Sequence, residues 1–165
     1  MKILLVLFVI SATSFMGFTA GRQYKNKVIF FRDLLLFCVY VKNEVSFFKS
    51  KLSDILNKGK LNCNENFNDL CKIANQSLQQ GRFVLLEEKN LHFLKFLSFS
   101  ERQTITNFFN FLGKSDENNQ KNQIESYEKI FSDYSERAKQ DYDSKAGLYG
   151  KLGVYAGLFL AILCL

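Results

Sequence analysis

The chain has 165 residues, of which 47% are apolar and 23% are charged, and its formal net charge is +6. With no proline and only 9 glycines, nothing forces a long helix to end, and little supports the dense turns of a β-sandwich or barrel. There is one histidine, and the four cysteines form no C-x-x-C pair, so zinc clusters and redox dithiols lack their usual ligands. The composition predicts a mainly helical protein.

The two ends of the chain carry almost no charge. All 16 acidic residues and all but one of the 22 basic residues lie between Gly21 and Lys151. The apolar stretches 3–20 and 148–165 are each about 18 residues long, which as a helix spans about 27 Å, close to the hydrocarbon thickness of a bilayer. We predict an N-terminal transmembrane anchor over residues 1–21, a central domain over residues 22–147 and a C-terminal transmembrane helix over residues 148–165.

The N-terminal stretch has an alternative interpretation as a cleaved signal peptide, because Lys2 precedes an apolar run. The run is long for a signal sequence and FTAG at residues 18–21 is a poor cleavage site, so an uncleaved anchor is favoured. Basic residues cluster just after the first span and just before the second. Because lysine and arginine resist transfer across a membrane, this distribution predicts a cytoplasmic central domain.

Small residues recur at four-residue spacing in both predicted spans. They are Thr13, Gly17 and Gly21 in the first and Gly153, Gly157 and Ala161 in the second. Small side chains on one face of a helix let two backbones approach closely. We predict that the two spans pack together through these positions.

The central domain begins with a predicted helix over residues 28–56. Its apolar positions follow steps of three and four residues, as in a helix with one buried stripe, and Gly59 can end it. A second helix over residues 65–80 carries one apolar face and closes at Gly81. A third helix is predicted over residues 84–97, which are apolar with less regular spacing.

The second half of the domain shows the start of a fourth helix. Ser100-x-x-Gln103 matches a capping box, and the helix that it starts is predicted to run to Leu112. Gly113 would end this helix, and either of two residues that follow it, Ser115 or Asp116, would cap the next one.

A fifth helix carries a heptad seam and is predicted to continue into the second span without a break. The seam consists of Ile124, Tyr127, Phe131, Tyr134 and Ala138. The predicted fold class is therefore all-α, an up-and-down bundle of about five helices flanked by N- and C-terminal transmembrane helices.

No arrangement of residues predicts catalysis, a cofactor or a metal site. His92 is the only histidine, and the acidic pair Glu87 and Glu88 lies at a predicted helix start, where it complements the helix dipole. No phosphate-binding loop, dinucleotide-binding motif or nucleophile elbow occurs. Basic residues are interleaved with acids, which argues against nucleic-acid binding. Orientation at a membrane and contact with anionic lipid headgroups explain the positive excess better.

The segment FFNFLGKSDENNQKNQ over residues 108–123 and the final KAGLYGKLGVYAGLFLAILCL resemble the stage III sporulation protein AB family of endospore-forming bacteria. In that family a Leu-Gly, a Ser-Asp and a Gln recur before a long helix that leads to a final span containing Leu-Gly. These residues are Leu112, Gly113, Ser115, Asp116 and Gln120 here, with Leu152 and Gly153 in the span. Phe109 stands where the family usually has glycine, and Gly21, Tyr24 and Arg32 agree more loosely in the front half.

The resemblance implies a small helical bundle like the cytoplasmic domain of the inner-membrane platform protein of type II secretion and type IV pilus machines. It further implies a place in the channel that joins mother cell and forespore, in the mother-cell membrane around the forespore. The implied partners are the secretion-type ATPase of that complex, its other membrane components and the lipid bilayer, with a homo-oligomer as a further option.

The corner made by Leu112, Gly113, Ser115, Asp116 and Gln120 has two interpretations. In the first, its residues cap the two flanking helices, and each cap contributes about 1 kcal/mol. In the second, it is an exposed docking point for the ATPase or for a neighbouring copy. The residues alone leave both open.

The sequence as a whole favours a non-enzymatic platform or adaptor that couples a cytoplasmic ATPase to membrane components of the sporulation channel. The alternative is an exported helical binding module, tethered by its C-terminal span after cleavage of a signal peptide. In that case Cys38, Cys63 and Cys71 would leave an odd thiol in an oxidising compartment.

Overall fold

The structure, a computed structural model, describes residues 2–45, 51–58, 63–81, 83–112, 114 and 117–164, without the side chains of residues 2–10, 14, 117, 118, 150, 158, 160, 161, 163 and 164. These ranges hold α-helices and no strand, so the predicted all-α class is confirmed. The helices are α1 (Lys2–Asn43), α2 (Leu52–Lys58), α3 (Glu65–Gln80), α4 (Phe99–Phe111), α5 (Glu117–Asp141) and α6 (Gly147–Cys164). A 3₁₀ turn (Glu88–Leu91) precedes α4, and a π-helical turn (Tyr142–Ala146) joins α5 to α6.

The chain divides into two compact units. The terminal unit combines Met1–Val28 with Glu136–Leu165, and the bundle consists of Ile29–Ser135. Among the residues that the structure describes, none of the helices has both the length and the apolar character needed to cross a membrane. Membrane attachment of the two ends stays a prediction.

Phenylalanine rings form the core of the bundle. Phe37 of α1 contacts Phe67 of α3 and Phe109 of α4, with ring centroids 5.4 and 5.6 Å apart. Phe108 of α4 packs edge-on against Phe131 of α5 at 5.3 Å. All five side chains are fully buried. Since aromatic rings bury large areas and favour such offset and edge-to-face contacts, one cluster of rings holds four helices together.

The predicted helix over residues 28–56 is wrong in its second half, where α1 ends and α2 starts separately. The carbonyl of Lys51 accepts the backbone N–H groups of Asp54 and Ile55 at 2.9 and 3.1 Å, which begins a new helical turn. Ile55 and Leu56 are buried, and α2 packs on α3. The apolar spacing fits one helix as well as two, so the packing of α2 on α3 decides what the periodicity could not.

The second predicted helix is confirmed with its predicted bounds as α3. Oδ1 of Asn64 accepts the backbone N–H of Asn66 at 2.9 Å and caps it, and Gly81 follows its last turn. The backbone N–H of Asn64 donates to Oδ2 of Asp33 in α1 at 2.6 Å, while Arg32 donates to the other carboxylate oxygen. The Asp33 side chain is 1% exposed, so a buried carboxylate attaches the start of α3 to α1.

The third predicted helix, over residues 84–97, is wrong. Its first four residues have no regular secondary structure and lead into the 3₁₀ turn. The hydroxyl of Ser77 in α3 bonds to both the N–H and the carbonyl of Leu85 at 2.9 Å. The side-chain amide of Asn110 in α4 bonds to the same two groups of Leu86 at 2.6 and 2.8 Å. Two neighbouring helices thus satisfy backbone groups that a helix would have satisfied internally.

The fourth predicted helix is confirmed as α4, but its cap lies two residues earlier than predicted. Oγ of Ser98 accepts the backbone N–H of Glu101 at 3.3 Å, and the Glu101 carboxylate accepts the N–H of Ser98 at 2.7 Å. The capping box is therefore Ser98-x-x-Glu101 and not Ser100-x-x-Gln103. A carboxylate reaching back makes a charge-assisted hydrogen bond, which is stronger than one made by a glutamine amide.

The fifth predicted helix is α5, and the backbone stays helical from α5 into α6. The seam residues Ile124, Phe131 and Ala138 are buried, while Tyr127 and Tyr134 are half-buried. Each residue of a regular α-helix turns the chain by about 100°, so the eight steps from Ala138 to Ala146 would overshoot two turns by about 80°. The wider π turn holds more residues per turn, which reduces this overshoot and brings the two alanines toward one side of the helix.

Candidate interaction surfaces

In the terminal unit, α1 and α6 run antiparallel and approach closely at two glycines. A Cβ atom placed on Gly17 would lie 2.6 Å from the carbonyl oxygen of Tyr149, and one placed on Gly153 would lie 2.8 Å from the carbonyl oxygen of Thr13. Each added Cβ would also lie 3.2 Å from the Cα atom of the opposite glycine. Any larger residue at either position would push the two backbones apart.

The structure places the other small residues of the predicted spans as follows. Gly21 lies over Ala146, where an added Cβ atom would be 3.3 Å from the carbonyl oxygen. Gly157 is buried, and the side chain of Ala161 lies outside the described residues. The close contact in the described part of α6 is therefore centred on Gly153 and continues toward Ala146.

Two tyrosines join the helices one turn beyond Gly21. The rings of Tyr24 and Tyr149 stack with their centroids 5.7 Å apart and their planes 20° from parallel. A hydrogen bond between the two side chains raises the pKa of Tyr24, as expected when this hydroxyl donates the bond. Sequence reasoning missed this contact, because the two residues lie on helices at opposite ends of the chain.

Large apolar side chains are exposed on both helices of the terminal unit. They are Phe15, Met16 and Phe18 on α1 and Leu148, Leu152, Val154, Tyr155, Phe159 and Ile162 on α6. Single apolar residues are common on protein surfaces, but many large ones exposed on the same two helices are typical of a site of interaction with a partner or a membrane. At one edge of this surface the guanidinium of Arg22 lies 4.5 Å from the centroid of the Phe18 ring.

The corner that sequence reasoning singled out is largely internal where the structure describes it. Leu112 is fully buried, and Gln120 is 8% exposed. The backbone N–H of Leu112 donates to the carbonyl of Phe109 at 3.2 Å and closes α4. Gly113, Ser115 and Asp116 lie outside the described residues.

Beside this corner, Lys114 and Phe83 are both exposed. The Lys114 ammonium lies 6.0 Å from the centroid of the Phe83 ring, which is 41% exposed. Neither residue was singled out in the sequence. An exposed phenylalanine without any periodic pattern around it was the one available signal.

The chemically reactive side chains do not converge. Within the part of the chain that the structure describes, no group of histidine, cysteine, aspartate and glutamate could hold a metal ion. His92 is exposed, with Nδ1 at 2.9 Å from the carbonyl oxygen of Lys89. Cys38 and Cys71 are buried, and desolvation raises the pKa of the Cys38 thiol well above its usual range.

The helix pair, the buried corner and the Phe-rich core all lie within a single family match. A family model described as stage III sporulation protein AB matches residues 2–165. The chain belongs to this family. Comparison with curated proteins and with solved structures gives no match.

Membership of the stage III sporulation protein AB family confirms the resemblance that the sequence motifs indicated. The structure adds a local role to one of those motifs. In the Leu-Gly of the last helix, Leu152 is 57% exposed, whereas Gly153 makes the close backbone contact with Gly17. The glycine of this motif therefore permits helix pairing in this member of the family.

Proposed function

We propose that this protein is a non-enzymatic membrane platform of the channel that joins mother cell and forespore. It couples a cytoplasmic secretion-type ATPase to the membrane components of that channel. The family match over residues 2–165 carries the role in stage III sporulation. Beyond this role, we propose that the protein is attached to a membrane, that its fold is that of the platform proteins of type II secretion and type IV pilus machines, and that its partner is the ATPase.

Membrane attachment is supported by the surface of the terminal unit. Its two helices contact each other through glycine and expose large apolar side chains such as Phe15, Leu152 and Phe159. Pairing through small residues with apolar side chains directed outward is the arrangement that helices adopt in lipid. The terminal unit then enters the mother-cell membrane around the forespore, and the bundle lies in the cytoplasm.

Transmission between ATPase and membrane is supported by the continuity of two helices. α1 contributes residues to both compact units, and so does the helical run from α5 through the π turn. We therefore assign transmission to these two runs of helical backbone, each of which has residues in both units.

The ATPase docks at the exposed neighbourhood of the corner in this proposal. Lys114 presents an unburied positive charge beside the Phe83 ring. We expect Lys114→Glu to reduce binding of the ATPase of the same complex at least tenfold, because a charge at a contact is reversed. Lys121→Glu is the matched control, because Lys121 is an exposed residue of α5. If both variants bind the ATPase equally well, this surface is not the docking site.

Sidedness in cells tests the platform directly. Cys63 lies in the segment expected to be a loop, but it is half-buried, whereas Lys129 of α5 is exposed. A Lys129→Cys variant, with Cys63 and Cys164 replaced by serine, is therefore the better probe for a membrane-impermeant maleimide. We expect no labelling of intact vegetative cells and full labelling after lysis.

Labelling of intact cells would place the bundle outside the cytoplasm. That result would contradict coupling to a cytoplasmic ATPase and would favour the exported binding module. A fluorescent cytoplasmic protein with one exposed cysteine serves as the control for cell integrity.

A further inference from the structure

The border between the apolar and charged parts of the terminal unit carries a group of basic side chains. Gly21 contacts Ala146, which aligns the two antiparallel helices at this level. On α1, Arg22 and Lys25 follow Gly21 and are exposed. On α6, Lys151 is exposed and lies about 7.5 Å further along the axis than Ala146, because each of the five steps rises about 1.5 Å. A lysine stem can cover that distance and bring the ammonium back toward the same border.

Within the described residues, these three cations differ from their basic neighbour Lys145 in having no acidic partner. Lys145 is neutralised by Asp141 at 2.6 Å. Arg22, by contrast, lies over the Phe18 ring, and the ion pairs of the described residues include none of Arg22, Lys25 and Lys151. A guanidinium stacked on an exposed aromatic ring is typical of a water–lipid boundary, because the ring faces the acyl chains and the charge faces the headgroups.

We propose that Arg22, Lys25 and Lys151 form a binding surface for the headgroups of anionic phospholipids. The inference rests on the membrane attachment proposed above and names the lipid class that surrounds the helix pair. Its basis is charge complementarity at a surface whose apolar part is directly adjacent. An unpaired lysine or arginine at a negatively charged membrane surface favours binding several-fold.

The test uses the full chain reconstituted in bilayers of phosphatidylcholine and in bilayers that also contain phosphatidylglycerol. Spin-labelled lipids of both kinds report which lipid contacts the protein. We expect about a three- to fivefold preference for phosphatidylglycerol at low salt. The triple variant with Arg22, Lys25 and Lys151 replaced by glutamine should lose this preference, and the wild-type preference should fall as salt rises.

A matched control removes three positive charges elsewhere. Lys95, Lys121 and Lys129 are exposed residues of the bundle, and their replacement by glutamine should leave the preference unchanged. If the chain inserts into both bilayers without a lipid preference, or if the preference survives in the first triple variant, this inference alone is overturned.

Failure to insert into either bilayer would overturn the proposed membrane attachment as well. Soluble glycerol phosphate at matched ionic strength should compete no better than chloride, and specific competition would assign the surface to free phosphate compounds instead.

Discussion

At the scale of single residues, two glycines of the terminal unit differ in whether a larger residue would fit in their place. A Cβ atom on Gly153 would lie 2.8 Å from the carbonyl oxygen of Thr13, whereas a Cβ atom on Gly147 would have nothing within 4 Å. Both residues lie in α6. Alanine is a better helix former than glycine at both positions. Any difference in stability between the two alanine variants therefore measures the effect of the contact between the helices.

We expect Gly147→Ala to raise the stability of the terminal unit by up to about 1 kcal/mol, because alanine is the better helix former. Gly153→Ala should lower it by about 1 to 3 kcal/mol, because the new methyl group forces the helices apart. Thermal unfolding of the detergent-solubilised chain, followed by circular dichroism, compares the two variants. Equal melting temperatures would contradict the close contact.

Asp33 is the second residue whose surroundings allow a sharp prediction. Its buried carboxylate accepts the Asn64 backbone N–H at 2.6 Å. Asp33→Ala should cost about 2 to 3 kcal/mol and speed amide exchange in the first turn of α3, because a buried donor loses a charged acceptor. Arg32→Gln is the control, since the Arg32 side chain is 60% exposed and its ion pair should contribute under about 1 kcal/mol. Equal losses in the two variants would show that the ion pair, and not the bond to α3, stabilises this site.

At the scale of elements, the start of α4 distinguishes two similar sequence patterns. The hydroxyl oxygen of Ser98 accepts a hydrogen bond from the backbone N–H of Glu101, although Ser100 and Gln103 also match the pattern of a capping box. Ser98→Ala should destabilise the bundle by about 1 kcal/mol. Ser100→Ala should have almost no effect in the same urea titration, and a larger loss there would move the cap back to the position that the sequence pattern indicated.

The π turn offers the second prediction at this scale. Deleting Ser144 should turn Tyr142–Ala146 into regular helix and leave the orientation of the following part of α6 almost unchanged, because the π turn already accommodates one extra residue. Inserting one alanine between Ala146 and Gly147 should instead rotate the part of α6 that follows by about 100°, so that Tyr149 faces away from Tyr24. Cysteines that replace Tyr24 and Tyr149, whose ring centroids are 5.7 Å apart, should be joined by a short thiol cross-linker in the deletion variant and not in the insertion variant. Efficient cross-linking in both would show that α6 packs independently of the turn.

At the scale of the whole molecule, thiol accessibility reports how cooperatively the bundle opens. Cys63 is half-buried, whereas Cys38 and Cys71 are buried. Desolvation and the nearby Asp33 carboxylate raise the pKa of Cys63, so at neutral pH it holds less reactive thiolate than an ordinary cysteine. Maleimide labelling of Cys63 should be slow at pH 7 and keep increasing beyond the usual thiol range.

The two buried thiols should react only when denaturant opens the bundle. Since Cys38 in α1 and Cys71 in α3 are both buried within the bundle, we expect both to become reactive over one urea transition, measured by mass spectrometry. Two separate transitions would contradict a single cooperative core.

Local patterns in the sequence were enough to predict the all-α class, the bounds of α3, the seam of α5 and the family. Each of these depends on residues close in sequence: Asn64 and Gly81 delimit α3, and steps of three and four residues define one buried side of α5. The apolar, glycine-containing ends were likewise visible in the sequence.

Only the tertiary structure decided the features that depend on groups distant along the chain. The break between α1 and α2 follows from packing on α3, and residues 84–97 are not an α-helix because Ser77 and Asn110 satisfy the backbone of Leu85 and Leu86. The corner residues Leu112 and Gln120 are buried by the bundle around them. Gly17 meets Gly153 because antiparallel pairing aligns the two ends. A periodic pattern states that one side of an element is buried, but the partner that buries it is found only in three dimensions.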